Sequence, residues 1–305
     1  MQTVSVIIPA LFPSTKLEHD ATSLSRYPSV GEVTIVVNTT GADKDENTVH
    51  WRFLGKNKGF TGACNVGARV ATGEYLLFLN DDCEMSEDAL QKMVEFLEQN
   101  EDAVATQPIV TKVPVNSNSR QVENIGFWVD TRVGKADTVT VISDSKQEHQ
   151  DIKEGSLHPR NARSRDDRLP FPSTFNPSTS SGQALQPSTN VYGLSGTCLL
   201  IRKDIFEKVG MWDESFHSYL EDVDFAIRLH KAGYKVAPCL DAEVTHEHMA
   251  TSSRMGLYKE KQDVINWWRL ILKHPDIFVR LNTLLPLLIE RGRNMSGLVK
   301  KILQI

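Results

Sequence analysis

Residues 74–82, EYLLFLNDD, run an apolar stretch straight into Asn80, Asp81 and Asp82. Adjacent carboxylates repel one another unless a cation or hydrogen-bond donors offset their charge. A hard divalent cation such as Mg2+ or Mn2+ does so, taking one or two carboxylates and filling its other positions with water and phosphate oxygens. The alternative is a turn whose polar side chains cap a helix starting near Ser86. A second acidic group, Glu221, Asp222 and Asp224, lies in VGMWDESFHSYLEDVDFAIRLHKAG, residues 209–233. Acidic residues in a first helical turn complement the helix dipole, and Ser218 with Glu221 matches a capping box, so Glu221 has a structural reading as well. Asp222 has no such duty. Beside Trp212, Phe216 and Tyr219 its carboxylate would gain the raised basicity that a general base needs. His246 and His248, in EVTHEHMATSS, are candidate metal ligands, against the commoner role of a lone histidine as a hydrogen-bonded group. Residues 55–73, GKNKGFTGACNVGARVATG, match neither a P-loop nor a dinucleotide fingerprint. Their glycines permit close backbone approach to a ligand, while Ala63, Ala68 and Ala71 would equally serve tight helix-to-sheet packing.

These groups need a scaffold, and the hydrophobic pattern supplies one. Residues 3–8 form a β-branched run stopped by Pro9, 32–37 form a second, and between them Leu17, Ala21 and Leu24 recur at helical spacing. A helix over 62–71 precedes a strand over 75–79, and Leu90, Met93, Val94 and Leu97 mark one face of another helix. Strands alternating with helices predict a largely parallel buried sheet, in which ligands bind beyond the carboxyl ends of the strands. Residues just after Val37 and Leu79 therefore fall where a ligand would sit. A strand over 198–201 and helices over 203–209 and 221–231 follow. Between them the proline- and serine-rich stretch 143–190 has nothing periodic to bury and reads as a mobile insertion.

The chain has 305 residues with 40% apolar composition and net charge −5. That supports a full core and provides no overall basic field to attract nucleic acid. The longest mainly apolar run, 277–289, is interrupted by Arg280, Asn282 and Pro286 and is too short to cross a bilayer. The N-terminal stretch lacks the basic region of a secretory signal. Cys64, Cys83, Cys198 and Cys239 are scattered without a CxxC pair, as expected of reduced thiols in the cytoplasm. Residues 269–305 hold seven basic residues against two acidic ones, a net +5 that leaves −10 for the remainder. Basic residues interleaved with Leu and Ile fit a helix resting on an anionic membrane, or a helical pair packing on its own domain or on a second subunit.

Taken together, SVIIPAL, EVTIVVNTTGAD, the 57–82 block, the 195–236 segment and VTHEHMATSS resemble the family 2 inverting glycosyltransferases of the GT-A fold, particularly their bacterial rhamnosyltransferase-like branch. The resemblance implies an α/β GT-A domain over 1–250, with a mostly parallel central sheet flanked by helices, and a C-terminal helical extension over 251–305. It implies a nucleotide diphosphate sugar donor, with Pro9, Asn38, Asn57, Gly59, Asn65, Asn80 and Asp81 on the donor side. Asp82 and His246 would hold Mn2+ or Mg2+, with His248 the alternative ligand. Asp222 would be the general base and Glu221 would orient the acceptor or the base. The acceptor would be a surface glycan or a lipid-linked precursor, met by an enzyme that is cytoplasmic and peripheral at the inner face of the membrane. Two departures stand out. Asn38 and Thr39 replace the family's Asp and Asn after the second strand, so no uridine preference is implied, and Met249, Ala250 and Thr251 replace its Gly-rich segment. The alternatives are a non-catalytic GT-A scaffold subunit and a nucleotidyltransferase. The latter would need a Gly-rich basic loop after the first strand, which residues 10–15 do not supply.

Overall fold

The computed structural model describes residues 3–112, 121–131, 134–139, 191–247, 257–279 and 284–303. The 143–190 insertion, His248 and residues 249–251 lie outside them. The first half runs β1 (Val4–Ala10), α1 (Thr15–Leu24), β2 (Val30–Val37), β3 (Lys44–Glu46), β4 (Val49–Phe53), α2 (Gly59–Val70), β5 (Tyr75–Leu79), β6 (Cys83–Met85), α3 (Glu87–Gln99), β7 (Ala103–Thr106) and β8 (Pro108–Lys112). There follow β9 (Gln121–Asn124), β10 (Phe127–Asp130), β11 (Lys135–Thr138), β12 (Cys198–Arg202), α4 (Lys203–Lys208), α5 (Glu221–Lys231), β13 (Lys235–Val236), β14 (Cys239–His246), α6 (Tyr258–Lys273), α7 (Pro275–Phe278) and α8 (Leu284–Leu303).

Among the described residues, the main sheet has eight strands in the order β13-β7-β12-β5-β1-β2-β4-β3. Its centre, β5-β1-β2-β4, is parallel. Every residue of β1 and β5 is buried, as strands covered on both faces require. The sheet is mixed rather than wholly parallel. β12 lies antiparallel between β5 and β7, and β3 is an antiparallel edge. Strands β8 to β11, which belong to other sheets, come between β7 and β12 in the chain, so β12 is not bound to the parallel sense of a simple strand–helix–strand unit. A second sheet, β6-β14-β8-β9, stands beside the first.

β1 runs through Pro9 to Ala10 instead of stopping at it. The Ala10 carbonyl accepts from Asn38 on the β2 side, which turns Pro9 towards β5, and the β5 ladder has already ended at Ile7. The missing N–H of Pro9 therefore falls where no partner waits. Ser86 caps α3 through its hydroxyl, which accepts from the Ala89 N–H at 3.2 Å. Asn80, Asp81 and Asp82 are thus free of capping duty and form a tight turn closed by the Cys83 N–H on the Asn80 carbonyl, 3.1 Å. All four cysteines are buried and unpaired.

Trp212 joins the sheet to α5. Its ring meets Phe78 of β5 edge-on at 5.5 Å and Phe225 of α5 at 4.8 Å, so the helix bearing Asp222 is tied through Trp212 to the strand leading to Asp82. The C-terminal helices pack on α5 as well, through a cluster that includes Phe216, Val223, Ile227, Trp267, Leu270 and Phe278. Fully buried Asp224 fastens this contact, accepting from Arg228 Nε, Lys273 Nζ and His274 Nε2 at 2.8 Å each. No helix of the described residues is long and apolar enough to cross a membrane.

Candidate active site

The carboxyl ends of β1, β2 and β5 open onto a cleft of about 400 Å3. Pro9, Asn38, Asn57, Gly59, Asn80, Asp81, Asp82 and His246 all line it, joined by Glu123, Thr197, the 217–219 loop, Tyr258 and Lys259.

The β6–β14 ladder builds one wall. Its antiparallel register pairs His246 with Cys83, and the Glu247 N–H donates to the Asp82 carbonyl at 2.8 Å. His246 Nε2 consequently stands 3.1 Å from Asp82 Oδ1. Two adjacent ligands of an octahedral cation with bonds of about 2.1 Å are about 3 Å apart, so this pair matches the edge of a Mg2+ or Mn2+ coordination shell. The Cys83 thiol lies within the same group of atoms, but burial pushes it well above its ordinary range. A protonated thiol is a poor partner for a hard cation. Burial would lower the His246 imidazole, but the hydrogen bonds it donates to the Asp82 and Glu123 carboxylates outweigh this and raise the group to about 9. A proton and a divalent cation are alternative ways to offset these carboxylates, and cation binding would release the proton. Asp81 is raised to about 6, first by burial and then by the neighbouring Asp82 charge.

Glu123 was not legible as a site residue. It is a lone acid in a short strand, and only the β8–β9 and β8–β14 pairings bring it across the sheet, Oε2 2.9 Å from His246 Nδ1. A carboxylate on the far nitrogen fixes the ring's orientation and tautomer and raises its basicity as a ligand. Glu123→Gln is expected to weaken Mn2+ binding about 10- to 100-fold without altering thermal stability, as read by Mn2+ titration. Unchanged affinity would remove Glu123 from the site.

The opposite wall is a strained loop. His217 has φ 63° and ψ −62°, and the Ser218 N–H reaches the Phe216 carbonyl at 2.7 Å, the rare γ-turn of positive φ. Tyr219 and Leu220 also have positive φ. Buried Asn266 of α6 holds this backbone, its amide nitrogen donating to the carbonyls of Phe216, Ser218 and Tyr219 at 2.9, 2.8 and 2.7 Å. Gly59 completes the fit from α2, since a Cβ there would stand 2.2 Å from the His217 carbonyl. Asn266→Leu is expected to destabilise the chain by about 3 kcal/mol, because it strands buried carbonyls and frees a strained loop. Denaturant unfolding checks this, and a change under 1 kcal/mol would mean the loop holds itself.

The capping box of Ser218 and Glu221 does not form. Leu220, in a left-handed conformation, precedes the helix without a side-chain cap, and the Ser218 hydroxyl accepts instead from the Phe60 N–H at 3.2 Å. Glu221 is 7% exposed and its Oε2 has no hydrogen-bond partner among the described residues. Burial, then the adjacent Asp222, pushes its carboxyl well up. Asp222 is half-buried, and burial raises it too, against hydrogen bonds from the Val223 and Gly196 N–H groups. The two carboxyls titrate as a pair, both raised by burial, with the more deeply buried Glu221 favoured to hold the shared proton. Gly196 adjoins Thr197 of the cleft wall, so Asp222 borders the cleft without lining it. Because the folded state binds the Glu221 proton more tightly than the unfolded chain, the group favours folding at acid pH, and that contribution is lost as pH rises through its raised value. Glu221→Gln is therefore expected to flatten the fall in melting temperature above neutral pH. A parallel fall in both proteins would contradict the buried proton.

Two donor-side expectations change. Asn65 lies outside the cleft, 2% exposed. Its amide braces the Trp212 backbone at 2.8 and 3.1 Å and Glu214 at 3.1 Å. Asn38 lines the cleft, but its amide also ties Lys58 N–H and the Gly59 carbonyl at 2.9 and 3.3 Å, so part of its hydrogen-bonding capacity serves the loop.

Comparison with known proteins adds the family. Residues 40–210, over half the chain, match the model of glycosyl transferase family 2, and residues 179–271 match that of glycosyl transferase family group 2. The N-acetylglucosaminyl-diphospho-decaprenol L-rhamnosyltransferase of Mycobacterium tuberculosis is 42% identical over 73 residues, 24% of each protein. The chain thus spans about a quarter of that relative's length. The low-salt glycan biosynthesis hexosyltransferase Agl10 of Haloferax volcanii is 20% identical over 268 residues, covering 83% of this chain and 71% of that protein. The structure of GalNAc-T7 with UDP, GalNAc and Mn2+ superposes with a TM-score of 0.57 at 14% identity, covering 88% of this chain and 47% of that one. The shared architecture is the GT-A fold, and the chain belongs to glycosyl transferase family 2.

Proposed function

We propose that this chain is a metal-dependent inverting glycosyltransferase. It moves a hexose or deoxyhexose, rhamnose among them, from a nucleotide diphosphate sugar to a hydroxyl of a surface-glycan or lipid-linked acceptor. The observation that carries the reading is the 3.1 Å approach of Asp82 Oδ1 to His246 Nε2 in a cleft at the strand ends, with the basic carboxylate of Asp222 at its border.

Asp82 and His246 would hold the cation, which when bound withdraws charge from the diphosphate oxygens and makes the nucleotide a better leaving group. Asn80 and Asp81 wall the donor side together with Pro9, Asn57 and Gly59. Lys259, the lone Lys or Arg among the described residues lining the cleft, adds positive charge where the diphosphate gains negative charge. Asp222 takes the proton from the acceptor hydroxyl as that oxygen bonds to the anomeric carbon. The bond from that carbon to the diphosphate oxygen breaks, its electrons leaving with the nucleotide, and attack from the opposite face inverts the centre. Glu221, holding its proton, leaves Asp222 free to ionise. The reading places the chain in the cytoplasm, meeting the inner membrane face through its basic C-terminal segment.

The test is a panel of nucleotide sugars with Mn2+ and a polyprenyl-diphosphate-linked N-acetylglucosamine acceptor, scored by nucleoside diphosphate release and by the anomeric configuration of the product. Release with inversion is expected for at least one donor. Donor binding without turnover across the panel would point to the scaffold role.

A further inference from the structure

Helix α8 has three faces. Leu287 and Arg291 are each 2% exposed, Arg291 lying over the Trp267 ring at 4.6 Å and donating to the Gly134 carbonyl at 2.7 Å. A second face is apolar and about half exposed. Leu288, Met295, Val299 and Ile302 are 46, 48, 51 and 49% exposed, and at about 100° per residue they fall within an arc of about 60°. Leu285, 68% exposed, and Leu303, 59%, widen the stripe. Arg293 and Lys300 come next around the helix, on the side away from Leu287, and both are exposed.

The far end of this helix adjoins the cleft. Lys301 Nζ pairs with Glu260 Oε1 at 2.5 Å, and Glu260 follows Tyr258 and Lys259, which line the cleft.

We propose that α8 lies flat on an anionic lipid surface, its apolar stripe inserted and Arg293 and Lys300 at the headgroups, so that the cleft mouth sits beside the membrane. Three observations select lipid. An apolar stripe rimmed by cations is what an anionic interface takes up. The charge is lopsided, with net +5 over residues 269–305 and −10 over the rest, so the field of the whole chain turns this end towards the membrane and the remainder away. A second copy paired symmetrically through the same stripe would set Arg293 and Lys300 against their own counterparts. The proposal deepens the glycosyltransferase reading and rests on it in one respect, the delivery of a lipid-linked acceptor to the cleft.

The test is flotation of the full chain with phosphatidylcholine vesicles, with and without phosphatidylglycerol, using wild type, Leu288→Asp/Val299→Asp and Arg293→Glu/Lys300→Glu. Wild type is expected to bind the anionic vesicles at least about ten-fold more tightly than the neutral ones and to release with salt. Both double variants are expected to lose binding while keeping their melting temperature and their transfer to a short water-soluble acceptor. Equal binding to both vesicles, no binding, or undiminished binding by the variants would overturn the proposal. So would a wild-type dimer in sedimentation that these substitutions dissolve. Anionic flotation without any transfer activity would leave the lipid face standing and remove the catalytic reading instead.

Discussion

Asp222→Asn is expected to lower kcat by about 10²- to 10⁴-fold, the usual range for removing a positioned general base, while leaving the affinity for the nucleotide sugar within about two-fold. The amide keeps the shape and can still accept from the Val223 N–H, now 2.8 Å from Asp222 Oδ1, so the start of α5 should survive. It cannot take the acceptor's proton. The pH profile adds an independent sign. Burial raises the Asp222 carboxyl, so the base is lost to protonation as pH falls through a value above the ordinary carboxylate range. The acid limb of kcat/KM in the wild type should lie correspondingly high. Retention of more than a tenth of wild-type turnover by the variant would reassign the base.

Asp82→Ala is expected to lower transfer by about 10²- to 10³-fold and to abolish its dependence on Mn2+. Asp82 reaches its place through backbone hydrogen bonds of the β6–β14 ladder, and its side chain is 17% exposed, so the substitution empties a ligand position without opening the core. Donor affinity in the variant should be the same with Mn2+ and with chelator, whereas the wild type should bind more tightly with Mn2+. Initial rates across a Mn2+ series decide the matter. A variant with the wild-type Mn2+ response would show that the cation is held elsewhere.

The residues tied to local pattern were legible in the sequence. Leu17, Ala21 and Leu24 in α1, and Leu90, Met93, Val94 and Leu97 in α3, are buried as their spacing requires. Asp82 and His246, remote in sequence, could be named together only through the family resemblance of the segments that hold them. What could not be read depended on contacts between distant segments. Glu123 reaches His246 only through the register of a second sheet. The γ-turn at His217 leaves no signature, because its strain is held by Asn266 some fifty residues later. The Ser218 and Glu221 spacing suggested a capping box, but Leu220 turns left-handed and Ser218 goes to Phe60, tertiary packing overriding a local preference. Asn65 belonged to a motif suited to a ligand, yet its amide braces the Trp212 loop. The antiparallel β12 could not be anticipated from alternation alone, since strand direction is chosen by the connection and not by the strand's own residues.

One cation, held by Asp82 and His246, is proposed to meet the donor's diphosphate in the strand-end cleft. A crystal soaked with Mn2+ and a nucleoside diphosphate tests it most directly, through the anomalous scattering of manganese. One strong peak is expected within about 2.0–2.3 Å of both Asp82 Oδ1 and His246 Nε2, with diphosphate oxygens completing the shell. A manganese peak away from this pair, or a nucleotide bound outside the cleft, would contradict it.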